Sequence, residues 1–208
     1  MNPTSPFGRT QNYVPMIIEQ LIRQNRSYRR FYQDHYLAMD NLKHFVNLAR
    51  LSPSGRNAQP LKYYLSNEES VNGKIFECLA WAGYLKDWDG PAPGERPSAY
   101  IVMLGDHRIA DNFFCDHGIA AQSILLGAVE KGFGGCIIAS VKREKLREDL
   151  QIPDHLEILQ VIALGKPRES VTLDDVGADG DIRYWRDDKQ IHHVPKRKLG
   201  QIILHPSE

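Results

Sequence analysis

Apolar residues recur at Val14, Ile17, Ile18, Leu21 and Ile22, one face of a helix with Pro15 near its first turn. A basic segment, residues 25–31, closes it. Leu42, Phe45, Val46 and Ala49 define a second amphipathic helix that starts near Asp40 and stops at the turn signal Ser52-Pro53-Ser54-Gly55. Residues 61–65 read as a short strand, 71 to about 81 as a helix, 87–97 as a Pro/Gly loop and 99–104 as a compact apolar strand. Between 111 and 131 the apolar positions cover nearly the whole circumference of a helix. Such a helix belongs at the centre of a fold or in a large interface, and Gly132 stands at its C′ position. Beyond it the pattern predicts a strand at 137–139, a helix at 143–150 and a buried strand at 158–164. The polar stretch from Ser170 holds one strand near 182–185 and a final apolar Ile202-Ile203-Leu204. Helices and short strands mix without a βαβ rhythm, which favours an α+β fold.

The chain of 208 residues has room for one substantial core, read as a loose tail over 1–10 and a single domain over 11–208. Twenty-six basic residues balance twenty-six acidic ones, so whole-chain charge gives no reason to expect nucleic acid or a membrane surface. No leader pattern and no bilayer-length apolar run is read, so the expected location is the cytoplasm. Cys78, Cys115 and Cys136 have no CxxC spacing, and reduced thiols are expected, with Cys136 inert in the core.

Three clusters could carry chemistry. Arg26-Ser27-Tyr28-Arg29-Arg30 offers guanidinium groups around a hydroxyl, which suits a phosphate, or simply a solvated helix end. Pro53-Ser54-Gly55-Arg56-Asn57-Ala58-Gln59-Pro60 holds two amides in a stiff loop, which suits the edge of a flat heterocycle, or a plain connection. Lys196, Arg197 and Lys198 could complete a phosphate site or solubilise a tail. Neither a Rossmann fingerprint nor a P-loop accounts for these cations. His117 reads as a hydrogen-bonded structural histidine, and His192 and His193 lack companions at metal-ligand spacing, so no metal is assigned.

In order and spacing these segments resemble the FMN-dependent nitroreductases. The resemblance rests on Arg26-Ser27-x-Arg29-Arg30-Phe31 and Ser52-Pro53-Ser54-x-x-Asn57-x-Gln59-Pro60, then on residues 116–122 running into Gly132-Phe133-Gly134-Gly135-Cys136. It continues through residues 159–167 to Pro195-Lys196-Arg197-Lys198, so that it spans roughly residues 14–204. Asn25 stands where many relatives carry Arg, and Leu61 where an aromatic often follows Gln-Pro.

The resemblance implies a mostly antiparallel sheet flanked by helices, in an intertwined homodimer whose arm from about residue 170 contacts the partner. It implies FMN held by Arg26, Ser27, Arg29, Pro53, Ser54, Asn57, Gln59, Gly134, Gly135, Lys196, Arg197 and Lys198, with the two glycines letting backbone approach the ring. It further implies NAD(P)H as electron donor, nitroaromatics or quinones as acceptors in a ping-pong cycle, and no obligatory catalytic side chain. Trp81, Tyr84 and Trp88 are candidate walls of the substrate slot, or core and lid packing. Flavin storage or sensing, and another flavin chemistry such as reductive dehalogenation or flavin fragmentation, are the alternative readings on the same scaffold. A phosphate- or nucleotide-binding module without flavin is a third.

Overall fold

The computed structural model describes residues 18–204. The expectations placed on the 1–10 tail and on Val14, Pro15 and Ile17 lie outside that span. The helices are α1 (Ile18–Gln24), α2 (Met39–Leu51), α3 (Glu69–Glu77), α4 (Asp116–Glu130) and α5 (Arg143–Leu150). The strands are β1 (Phe31–Tyr32), β2 (Leu61–Ser66), β3 (Ala99–Asp106), β4 (Gly134–Ile138), β5 (Leu156–Pro167), β6 (Val171–Asp175), β7 (Trp185–Arg186) and β8 (His192–Lys196).

β5 organises the main sheet. Residues 161–164 pair with β3 and with β4 at once, which places those strands on opposite edges; β1 pairs at the C-terminal end of β5, and β2 pairs with the far edge of β3. Every pair in this sheet is antiparallel, as expected. All eight residues of β3 are buried because both sheet faces are covered. Tyr100, Val102 and Leu104 point into the core beneath α3 and α5, whereas Ala99, Ile101 and Met103 point into the core beneath α2 and α4.

α4 ends as its sequence requires. Gly132 takes φ +76°, its N–H bonds Val129 O at 2.9 Å, and the Phe133 N–H bonds Ala128 O at 2.8 Å, a Schellman closure. Eight residues of α4 are buried within the chain itself. Its apolar circumference is therefore satisfied internally and does not by itself call for a partner. The bare apolar side chains lie elsewhere, among them Ile18 and Ile22 on α1, Ile137 on β4 and the terminal Ile202, Ile203 and Leu204.

Several boundaries differ from the pattern. α4 begins at Asp116 rather than 111, because Asn112 Oδ1 captures the Phe114 N–H and Phe114 takes φ +43°. α3 stops at Glu77, short of Trp81, because the following backbone turns to pair beside β4: Ala80 N–H bonds Ser140 O, and Lys142 N–H bonds Cys78 O. β4 starts three residues early, at Gly134, and β5 extends to Pro167. The polar stretch after Ser170 holds β6 and β8 in parallel, with β7 antiparallel to β8; regular pairing begins only at Trp185, since Asp181 draws the Arg183 backbone and guanidinium onto itself.

Candidate functional site

The first basic cluster follows α1 and runs along the outer edge of β4. Ser27 bridges Gly135 in parallel register, and the Tyr28 N–H bonds Gly135 O at 3.0 Å. The fold thus joins the first motif to the Gly-rich strand, which lie more than 100 residues apart in sequence. Gly134 and Gly135, however, are buried inside β4 and present no surface to a ligand. A Cβ on Gly134 would meet the Tyr28 ring at 2.5 Å, and one on Gly135 would meet Ala163 O at 2.6 Å. Packing within the chain thus disfavours a larger residue at either position. The open positions of the segment are Ile137, Ala139 and Ser140.

Among the arginines of this region, charge compensation is uneven. Arg30 pairs with Glu95 at 3.1 Å, and Arg186 with the buried Glu169 at 3.0 Å. Glu169 also receives the backbone N–H groups of Arg29 and Arg30. No carboxylate among the described residues lies within ion-pair distance of Arg26 or Arg29. Arg26 spends Nη2 on Ile22 O at 2.7 Å, closing α1, but its Nε is buried without a partner, and burial lowers its proton affinity. The Ser27 hydroxyl beside it is exposed. An orphaned guanidinium donor, a second guanidinium with no carboxylate and a nearby hydroxyl, itself in reach of the Cys136 thiol, fit a phosphate dianion.

Arg29 is held from three sides. Nη1 donates to Ser27 O and faces His192 Nε2, both at 3.2 Å, and the guanidinium lies 4.7 Å from the Tyr184 ring centre. His192 is buried, and burial, reinforced by Arg29, pushes its pKa down to about 4. Neutral His192 accepts from Arg29 at Nε2, so its proton resides on Nδ1, which is buried without a partner. The residue at this contact is thus His192, four residues upstream of Lys196 on β8. Lys196, Arg197 and Lys198 lie at the other end of that strand, exposed and without a carboxylate in ion-pair range among the described residues. Four steps of strand separate the two ends by about 13 Å.

The arm also touches the loop after α3. The Tyr184 ring packs 4.9 Å from Tyr84, and Arg186 lies 4.4 Å from the Trp88 ring centre. Tyr84 and Trp88 therefore remain candidates for walls. Trp81 does not: it is buried against Phe76 in the core. Cys136 is buried too, and burial pushes its thiol up, which suits an inert core residue. His117 leaves Nδ1 buried without a partner, so the hydrogen-bonded ring expected there is not met at that atom.

The second cluster is built on the start of α4. Asp116, buried, accepts the Ser54 hydroxyl at 2.6 Å and the Gly55 N–H at 2.8 Å; Ser54 Oγ in turn receives the Gln59 N–H at 2.9 Å. Arg56, Asn57 and Gln59 all adopt φ near +54°, a left-handed conformation that costs each of them about 1 kcal/mol or more. Their side chains are exposed, so the anchored Ser54 presents a strained polar rim, next to a recess of about 170 Å³ bordered by Ser52, Gln59 and Ala120. Cofactor pockets are about 300–1,000 Å³, so this recess alone is too small. The loop is anchored at the first residue of α4, whereas the Ser27 cluster meets α4 at mid-helix, where Asn25 Nδ2 donates to Gln122 Oε1 at 3.2 Å, and then follows β4.

Comparisons with known proteins agree with this framework. The nitroreductase family model matches residues 22–166. The "Putative NADH dehydrogenase/NAD(P)H nitroreductase" of Archaeoglobus fulgidus is 27% identical over 148 residues, covering 67% of this chain and 80% of that protein. An FMN-dependent nitroreductase from Clostridium difficile R20291 superposes with a TM-score of 0.62 at 21% identity, over 74% of this chain and 89% of that one. A nitroreductase-like protein from Streptococcus mutans superposes with a TM-score of 0.66 at 14% identity, over 91% and 98% of the two chains. With its sheet, its basic edge and the match across most of its length, the chain belongs to the nitroreductase family.

Proposed function

We propose that this chain is an FMN-dependent oxidoreductase fed by NAD(P)H, acting as a homodimer. The observation that carries the reading is the uneven compensation of charge. Arg26 and Arg29 are left without carboxylates beside an exposed Ser27, while Arg30 and Arg186 are neutralised a few ångströms away. Unpaired guanidinium groups of this kind suit a phosphate, and Lys196, Arg197 and Lys198 extend the same cationic edge. The names of the Archaeoglobus and Clostridium relatives supply the nicotinamide and the flavin.

Arg26 and Ser27 would bind the phosphate, and Arg29, clamped by His192 and Tyr184, would meet the ring edge. Asn57 and Gln59, on a separate loop anchored at the start of α4, would offer their amides to the same ring from a second protomer. Bare Ile18, Ile22 and Ile137 give the two chains apolar surface to share. The chemistry such a flavin supplies is two-electron transfer, from NAD(P)H in one half-reaction to a nitroaromatic, quinone or similar acceptor in the next. Tyr84 and Trp88, backed by the arm, would wall the slot above it.

The test is an anaerobic titration of FMN-loaded protein with NADPH and then NADH, following the visible flavin band. Bleaching within the mixing time is expected with at least one of them. A protein that stays yellow with both would overturn the nicotinamide assignment, and one that binds no FMN would overturn the whole reading.

A further inference from the structure

A cavity of about 650 Å³ opens between α3, the segment after β1 and the stretch leading into β3, lined by none of the residues assigned to the flavin. Its floor holds three polar groups that the protein leaves unused. Tyr100 is 1% exposed, yet its hydroxyl has no hydrogen-bond partner, and Ser98 Oγ and Arg96 Nε are likewise buried without one. Leaving such groups unpaired inside a fold costs about 1–3 kcal/mol each. No carboxylate among the described residues reaches Arg96, whose guanidinium lies 4.2 Å from the Phe76 ring centre.

The surroundings hold these donors in place without occupying them. Gln33 Oε1 accepts the N–H groups of Gly94 and Arg96 at 2.8 and 3.3 Å. Asn72 donates to Ser98 O at 2.9 Å and accepts from Ser66 at 2.8 Å. The amides on the wall are thereby committed, whereas the guanidinium and the two hydroxyls are not. Gly73 adds an independent sign. It sits in the interior of α3, where glycine costs about 1 kcal/mol relative to alanine, and a Cβ there would meet nothing within 4 Å. Packing does not require this glycine; it leaves the cavity open.

We propose that this cavity is a second ligand site, taking a small monocarboxylate. One fixed positive charge with a planar fork of donors, flanked by two hydroxyl donors, matches a single carboxylate. Asp34 and Glu69 also border the cavity and oppose a second negative charge, so the rest of the ligand is neutral or cationic. Phe76 offers an apolar surface to its body.

The test uses benzoate as probe on FMN-saturated wild-type protein at constant ionic strength, by calorimetry and by ligand-observed NMR. Saturable binding with a Kd of about 1 mM is expected for so small a ligand. Tyr100→Phe removes only an unpartnered hydroxyl, so it should fold at least as well and bind benzoate about 5–10-fold more weakly. Gly73→Leu should project a side chain into the cavity and weaken binding at least about 10-fold with the melting temperature kept. Arg29→Ala, whose role lies in the flavin site, should leave benzoate binding unchanged. Absence of saturable binding would overturn the proposal. So would benzoate binding that perturbs the flavin band and ignores both Tyr100→Phe and Gly73→Leu, which would assign the ligand to the flavin face.

Discussion

Arg29 and His192 stand 163 residues apart in the chain and 3.2 Å apart in space, a guanidinium Nη1 facing an imidazole Nε2. The contact survives because His192 is neutral, its pKa pushed down to about 4 by burial and by Arg29 itself. In the unfolded chain the same ring titrates near 6.5. Between those values the unfolded state takes up a proton that the folded state refuses. Stability is therefore full above about pH 6.5 and declines as pH falls towards 4, by about 2 kcal/mol in all. His192→Gln, which keeps an acceptor for Arg29, should lose most of that acid sensitivity. Urea melts at about pH 7 and pH 4.5 decide the point; parallel losses in both proteins would place the sensitivity elsewhere.

Arg29 and Arg30 are neighbours with opposite expectations. Arg29 lacks a carboxylate, so its removal deletes a charged donor from the proposed cofactor. Arg29→Ala should weaken FMN binding about 10–100-fold. Arg30 is already paired with Glu95, and Arg30→Ala should change FMN affinity by less than about 3-fold. Fluorescence titration of the apoprotein with FMN separates the two, and equal losses would contradict the charge argument.

Gly135 tests packing against cofactor. Its missing Cβ is needed because Ala163 O lies 2.6 Å from where that atom would be, and a carbonyl within a paired strand has no room to retreat. Gly135→Ala should cost about 2–3 kcal/mol and lower the melting temperature of the apoprotein. A stable variant that merely fails to take up FMN would show that the glycine serves the ring after all.

Asp116 holds the 54–59 loop by two hydrogen bonds while three of its residues carry left-handed strain. Asp116→Ala leaves the Gly55 N–H without its acceptor and should destabilise the protein by about 2–4 kcal/mol. Hydrogen exchange should accelerate first at Gly55 and Gln59, whose N–H groups hang on Asp116 directly and through Ser54. Uniform acceleration across the chain would mean that Asp116 supports the fold and not the loop.

Much of this was readable in the sequence because local signals and tertiary packing agree. Arg143–Leu150 carries helical periodicity and packs along the same face, and Gly132 closes α4 as its position demands. Boundaries were lost where a single side chain redirects the backbone, as Asn112 does at Phe114, since such captures leave no periodic trace. β6 and β8 were lost because they are half-exposed and mixed with charge, so alternation is blurred. In the site, residue types announced the cations but not their partners. Which arginine is neutralised depends on Glu95 and Glu169, distant in sequence, and His192 offered no local mark of its contact with Arg29.

The placement of the two clusters on different segments of the chain leads to a test of assembly. If each flavin site takes Arg29 from one protomer and Asn57 from the other, the two residues fail independently and complement in mixed dimers. Arg29→Ala and Asn57→Ala homodimers should each bind FMN poorly. After co-refolding, half of the dimers pair unlike chains, and each of those has one site with both residues intact. Binding capacity should then recover to about a quarter of the wild-type value, at wild-type affinity. If both residues served a site within a single chain, every site in every dimer would carry one lesion, and mixing would recover nothing. Stoichiometric FMN titration of the mixture against the two separate variants distinguishes these cases without reference to any electron acceptor.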